Sequence, residues 1–156
     1  MKDRFENLVT AFCAAINLPF PEKMIDGTPF TMNQVVCSVS YKSQENENLL
    51  FIHIDFGEVT REAEAVVFYA LLRENFLDFS LKNCSFGVSS ATGNIVYASS
   101  FSIDIMTPDS LLSTLTALTW QAKNWRNNNA ISQKKSTAGA MTHRPHFLAS
   151  ASTSVP

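Results

Sequence analysis

His53 and Asp55 are the residues with the clearest potential for chemistry. They stand two positions apart inside the alternating segment Leu49–Phe56, and the period-two geometry of a strand puts them on one face. An imidazole beside a carboxylate can relay a proton or supply half of a metal site. The other half is missing, because the remaining histidines, His143 and His146, lie close to the C-terminal end. Cys13, Cys37 and Cys84 are odd in number, widely spaced and set in apolar stretches. That pattern reads as reduced, buried thiols rather than a disulfide framework or a zinc site. Glu58, Glu62 and Glu64 around Arg61 read as the solvated start of a helix. There is no phosphate-binding loop, dinucleotide fingerprint, HExxH or GxSxG. The expectation is therefore no catalytic residue, no metal, no cofactor and no enzyme, with His53 and Asp55 as polar neighbours on a partly exposed sheet face.

The elements that position these residues follow from periodicity. Residues 3–17 carry Phe5, Leu8, Val9, Phe12, Cys13 and Ile16 at helical spacing, and Pro19 and Pro21 stop that helix. Leu18-Pro19-Phe20-Pro21 is expected to be extended, and Asp26-Gly27-Thr28-Pro29 to turn. Phe30–Met32 is a short strand. Asn33-Gln34 is a tight turn, Val35–Lys42 a second strand, residues 43–48 a polar loop and Leu49–Phe56 the strongest strand. Thr60 is a fitting helix cap for a helix running to about Phe76. Residues 83–90 and 94–103 form a hairpin around Ala91-Thr92-Gly93-Asn94. Thr107-Pro108 opens a last helix, with Leu111, Leu115, Leu118, Ala122 and Trp125 as its buried stripe and fraying at Asn127-Asn128-Asn129. The sequence thus predicts an α+β domain over 1–129, in the order helix, three strands, helix, two strands, helix. Residues 130–156, rich in Ser, Thr and Ala and without periodicity, are expected to form a mobile, disordered tail.

Charge narrows the partner. Residues 1–128 carry nine Lys and Arg against all fourteen acids, a net of −5, whereas residues 129–156 carry Lys134, Lys135, Arg144 and no acid, a net of +3. An acidic body argues against nucleic acid, whose phosphates need clustered cations. No apolar run reaches the length of a membrane span. The charged start Met1-Lys2-Asp3-Arg4 has no signal-peptide pattern, which reads as a cytoplasmic protein with no membrane partner.

Some apolar residues have no evident place in the core of one chain. Ala65–Leu72 is apolar all round, and a helix of that kind needs cover on two sides, which a second subunit supplies. Val36, Leu49 and Phe51 lie on strand faces opposite the densest apolar rows. Phe5 and Val9 widen the first helix's stripe, and Phe20, Phe30 and Met32 sit in irregular or edge segments. Together they form a candidate patch for an apolar partner.

The local motifs share one pattern. The first helix closes on Leu18-Pro19-Phe20. Leu50-Phe51-Ile52-His53-Ile54-Asp55-Phe56-Gly57-Glu58-Val59 is a central strand running into a Gly turn. Leu71-Leu72-Arg73-Glu74-Asn75-Phe76 ends the second long helix, and Phe86-Gly87-Val88 precedes Thr92-Gly93-Asn94-Ile95-Val96. Trp125 stands near the close of the last helix. Over about residues 4–128 the sequence resembles the class I chaperones of bacterial type III secretion, the family that includes the Tir chaperone. It departs from that family at Ser89-Ser90-Ala91, where an acid is usual, and in its basic C-terminal segment. The resemblance implies a bacterial cytoplasmic homodimer with the second long helix at its two-fold axis, through Val66, Val67, Phe68, Tyr69, Ala70 and Arg73. It implies that Phe5, Val9, Phe12, Phe20, Phe30, Met32, Val36, Leu49 and Phe51 hold the N-terminal region of a secreted effector. That segment stays soluble and export-competent without ATP, and in some members adds a strand to a sheet edge. The secretion ATPase is a further candidate partner. The alternative on the same fold is an adaptor or regulator that binds a machinery component or a transcription factor.

Overall fold

The computed structural model describes residues 2–44, 47–78 and 83–139. The elements are α1 (Lys2–Ala15), α2 (Pro21–Ile25), β1 (Phe30–Met32), β2 (Val35–Gln44), β3 (Glu47–Gly57), α3 (Glu64–Asp78), β4 (Cys84–Val88), β5 (Ile95–Ser102) and α4 (Pro108–Gly139). The expected order holds, with α2 as an addition. The five strands form one antiparallel sheet in the order β1-β2-β3-β5-β4.

Strand register sorts the side chains. Cys37, Val39 and Tyr41 face Ile54, Ile52 and Leu50, and these face Tyr97, Ser99 and Phe101. This inner row is buried under Phe5, Leu8, Val9, Phe12 and Cys13 of α1, Met24 of α2, and Leu111, Leu115 and Ala122 of α4. The opposite face carries Val36, Ser38, Ser40, Leu49, Phe51, His53, Ala98 and Ser100. Among the described residues the helices lie against the inner face or the β4 edge, and none covers the outer face.

Local chemistry explains the boundaries. Asn17 takes the left-handed conformation, φ 54. The amides of Asn17 and Leu18 bond back to the carbonyls of Ala14 and Cys13, which closes α1 in a Schellman arrangement. Phe20 is not extended as expected. It is left-handed at φ 63 and precedes α2, with Pro21 at the first helical position. A proline disfavours the right-handed helical region for the residue before it, and the ring of Phe20 lies under Lys23 Nζ at 5.0 Å. Asn33 and Gln34 are both left-handed, φ 52 and 66, as a two-residue hairpin requires. The polar stretch expected as a loop over 43–48 is mostly strand, because β2 runs to Gln44 and β3 starts at Glu47. α3 begins at Glu64, four residues after Thr60, whose carbonyl accepts from Ala63 and Glu64. At α4 the Thr107 hydroxyl accepts from the Ser110 amide at 3.1 Å, and the Ser110 hydroxyl accepts from the Thr107 amide at 2.8 Å. The Thr107 cap is the one expected, and the return bond to Ser110 makes it reciprocal. The fraying expected at Asn127–Asn129 does not end α4, whose backbone continues to Gly139, since three moderate helix formers dilute a helix without breaking it. The tail expected over 130–156 falls outside the described residues from 140 onward.

One polar clamp fixes α4 across the sheet. Arg126 donates from Nε to Phe56 O at 3.1 Å, from Nη2 to Asp55 O at 2.7 Å and from Nη1 to Gln34 O at 3.3 Å. Asn33 Nδ2 donates to Thr119 Oγ1 at 3.0 Å. Gly57, at φ +95, lies so close that a Cβ there would stand 3.1 Å from Arg126 Nε. Gly57→Ala should therefore lose about 1–3 kcal/mol, read as a lower urea midpoint at unchanged slope.

Candidate partner-binding surfaces

Asp55 belongs to this clamp and not to a proton relay. Its Oδ1 accepts from the Gly57 amide at 2.6 Å and faces Arg126 Nη2 at 3.4 Å, and its Oδ2 accepts from Asn94 Nδ2 at 2.8 Å. His53 shares the outer face but makes none of these bonds. Burial, then the charge of Lys42, lowers its pKa below 6.5. A base with a depressed folded pKa takes up protons more readily when unfolded, so stability falls as pH drops through the ordinary histidine range. Between pH 7.5 and 5.5, wild type should therefore lose melting temperature relative to His53→Gln. Burial pushes the Cys37 thiol up to about 12, and burial with Glu22 raises that of Cys13, so both are unreactive at neutral pH. Among the described residues no group of three His, Cys, Asp or Glu could hold a metal ion, and no helix is long and apolar enough to cross a membrane.

The residues expected to face a partner divide. Phe5, Val9 and Phe12 are core, at 3, 0 and 0% exposure. Phe5 stacks on Tyr41 and Phe12 tilts against Phe30. Their assignment to an effector surface is corrected, because a single α-helical stripe seals α1 onto the sheet and leaves none of the three spare. Phe30 and Met32 are half-buried on the inner side of β1. Phe20 and Val36 are exposed, at 59 and 44%. Leu49 and Phe51 are half-exposed on the outer face, where Lys42 Nζ lies 5.3 Å from the Phe51 ring. Beside Phe51, a shallow basin is lined by Asn83, Ser85, Ala98 and Ser100. Four residues of strand, about 13 Å, separate the level of Phe51 from that of Val36, so the structure does not gather the expected residues into one patch.

Among the described residues, α3 carries more of the exposed large apolar side chains than any other element. Val66, Tyr69, Leu72 and Phe76 are 74, 66, 67 and 80% exposed, and Ala70 and Arg73 beside them are exposed too. Val67 and Phe68, also expected at the interface, turn partly toward the sheet. Leu72, Phe76 and the exposed Val88 were missed, because the unbroken apolar run gives no clue to which face lies outward. An apolar groove runs along the inner side of the stripe, between Phe68, Leu71 and Leu72 of α3 and Phe86, Val88 and Ile95 of the sheet.

The two sheet edges differ. On β4, Asn75 Nδ2 donates to Phe86 O at 2.9 Å and Asn75 Oδ1 accepts from Phe86 N at 2.7 Å. One side-chain amide thus stands in for a neighbouring strand and closes the middle of that edge. On the other side, β1 pairs only with Val35–Cys37, so among the described residues no strand covers Ser38–Gln44 of β2. Asn75→Leu should lose about 1–3 kcal/mol by stranding both Phe86 groups, measured by chemical denaturation.

These surfaces lie on a fold and a sequence with relatives. The sequence matches the Tir chaperone protein (CesT) family over residues 7–126. The chain belongs to that family. Comparison with curated proteins gives no match. Among solved structures, the ExsC–ExsE complex aligns at TM-score 0.65 and 17% identity, over 81% of this chain and 94% of that one. The Yersinia pestis type III secretion chaperone SycH, in complex with a stable fragment of YscM2, aligns at 0.54 and 19%, over 78% and 98%. The HopA1–SchA chaperone–effector complex aligns at 0.60 and 12%, over 81% and 95%. The family is one of type III secretion chaperones, and the α+β fold is shared with these structures.

Proposed function

We propose that this protein is a cytoplasmic type III secretion chaperone that works as a homodimer. It binds the N-terminal region of a secreted effector and keeps it soluble and export-competent. The observation that carries this reading is the family match over most of the chain, and two bare surfaces support it. The α3 stripe is apolar, contiguous and uncovered in a single copy, and burying four side chains of that size releases roughly 6–12 kcal/mol of gross transfer energy. A second α3 packed about a two-fold axis covers it with the same residues. The open edge of β2, with Phe20, Val36, Phe30, Met32, Leu49 and Phe51 near it or on the adjoining faces, accepts an extended effector segment. Main-chain bonds supply affinity there, and alternate side chains supply selectivity. The work is done by binding alone, without ATP hydrolysis, which fits a chain with no phosphate-binding loop.

Ala70 is exposed in one copy, so Ala70→Glu should leave the fold intact and give monomers by light scattering, because it places a charge in a dry interface. A wild-type mass would remove α3 from the dimer. Phe51→Asp should weaken effector binding at least tenfold at an unchanged melting temperature. Affinity capture from the native bacterium, with the mass of the captured complex, tests the whole reading. The expected result is one secreted protein held through its N-terminal region by two copies of this chain. Capture of secretion-machinery or regulatory proteins alone would favour the adaptor role on the same fold.

A further inference from the structure

The outer face of the sheet has a local charge opposite in sign to the body of the domain. Strand register sets its side chains in rows. Ser40, Phe51 and Ser100 form one row, and Ser38, His53, Ala98 and Ser85 form the next. Lys42 and Leu49 lie on the other side of the Phe51 row. The serines and alanine around them are short, so Phe51 and His53 stand above their neighbours. Between Phe51 and the short side chains of β4 and β5 a basin of about 270 Å³ has room for one aliphatic side chain.

Few charged groups stand at this place. From β2 the Lys42 amine reaches back over the Phe51 ring, 5.3 Å from its centre, and its charge acts on His53. The His53 ring is half-buried, and among the described residues it makes no hydrogen bond. Asp55, next along β3, is held by the Gly57 amide, Asn94 and Arg126. β4 and β5 present the uncharged Asn83, Ser85, Gly87, Val96, Ala98 and Ser100. The face thus offers an amine and an imidazole, with the Asp55 carboxylate already engaged, in a domain that is net negative over residues 1–128.

Spacing defines what fits. Phe51 and His53 are two residues apart on β3, about 7 Å. An extended segment laid along the strands carries alternate residues on one side at the same interval. One of them enters the basin while the next on that side meets the Lys42 amine and the His53 ring. An aliphatic residue suits the first place. A carboxylate suits the second, because it accepts from both groups, whereas an apolar group there would desolvate the amine without replacing its partners.

We propose that the outer face around Phe51 binds an extended effector segment in which an aliphatic residue and an Asp or Glu stand two positions apart, with Lys42 and His53 selecting the acid. This rests on the reading above that Phe51 faces the effector. The test uses peptides and no effector, so its failure is distinguishable from failure of that reading.

Selection through His53 fixes the sign of a pH dependence. In the free protein burial, then Lys42, holds the ring below the usual histidine range. A carboxylate set against the ring favours its protonated form. Binding then takes up a proton, and affinity rises as pH falls toward 6. An uncharged segment would bury the ring further and bind more weakly as pH falls.

The test is an NMR titration of the full-length protein with short Ser- and Thr-rich peptides carrying Leu and, two positions on, Asp, Asn or Lys. The Asp peptide is expected to shift the amides of Ser40, Phe51, His53 and Ser100. It should bind roughly fivefold more tightly than the Asn peptide and gain about twofold from pH 7.5 to 6. Lys42→Gln should shrink the preference for Asp, and His53→Gln should remove the pH dependence. Equal binding of the Asp and Asn peptides, affinity that falls with pH, or shifts confined to other surfaces would overturn the proposal. So would the absence of any shift at millimolar peptide.

Discussion

Main-chain N–H and C=O groups at the margin of a sheet must find partners, and this obligation organises the molecule. The sheet has edges at β4 and at β1 with β2. At β4 the demand is met inside the chain, since Asn75 reaches across from α3 and takes both outward groups of Phe86. Meeting it that way also sets α3. With Asn75 held on the strand, Phe68 and Leu71 turn toward the sheet, Val66, Tyr69 and Phe76 point away, and Leu72 stands at the rim of the groove. The closed edge and the bare apolar stripe are thus consequences of one contact. At β2 no strand of the described residues meets the demand along Ser38–Gln44, which makes that edge a place where a polypeptide of suitable spacing gains hydrogen bonds at once.

The second organising contact is Arg126. A guanidinium has five donors in a rigid fork, and here they bind the carbonyls of Asp55, Phe56 and Gln34. The register of β3 shifts between Asp55 and Gly57, beside the carbonyls of Asp55 and Phe56 that Arg126 binds, and Gly57 leaves room for the approach. Asp55 completes the arrangement by holding Gly57 and Asn94. The carboxylate that looked available for catalysis is thus fully engaged in tying β3, the β4–β5 turn and α4 together. α4 is thereby tied to both β3 and the β1–β2 turn where it crosses the sheet.

How much of this was legible in the sequence depended on whether a residue's partner was local. Alternation in Val35–Lys42 and Leu49–Phe56, the Thr107-Pro108 cap and the Asn33-Gln34 turn are local, and each was readable. α2 was not, because its start depends on a left-handed Phe20 that propensity does not suggest. The burial of Phe5, Val9 and Phe12 is a matter of where α1 docks, and helical spacing alone could not separate a core stripe from a binding stripe. The eight apolar residues of Ala65–Leu72 announced that α3 needs two covers but could not say which side faces the sheet. Asn75 decides that, and its partner is eleven residues away on an edge strand.

The positions of the two open surfaces bear on how they could act together. α3 and β4 lie at one end of the strand order, β1 and β2 at the other, about 14–19 Å apart across the sheet at the usual strand spacing. A dimer closed through α3 would leave both copies of the β2 edge facing outward at its far extremes, and neither surface would compete with the other. One effector segment could then engage both edges only by crossing the dimer, with a connecting stretch long enough to span it. Binding at the first edge would raise the local concentration of the segment at the second. Each contact could remain weak enough to release during export while the pair together holds the chain. Such a division of binding between two modest sites suits the proposed role, in which a partner is first retained and later released.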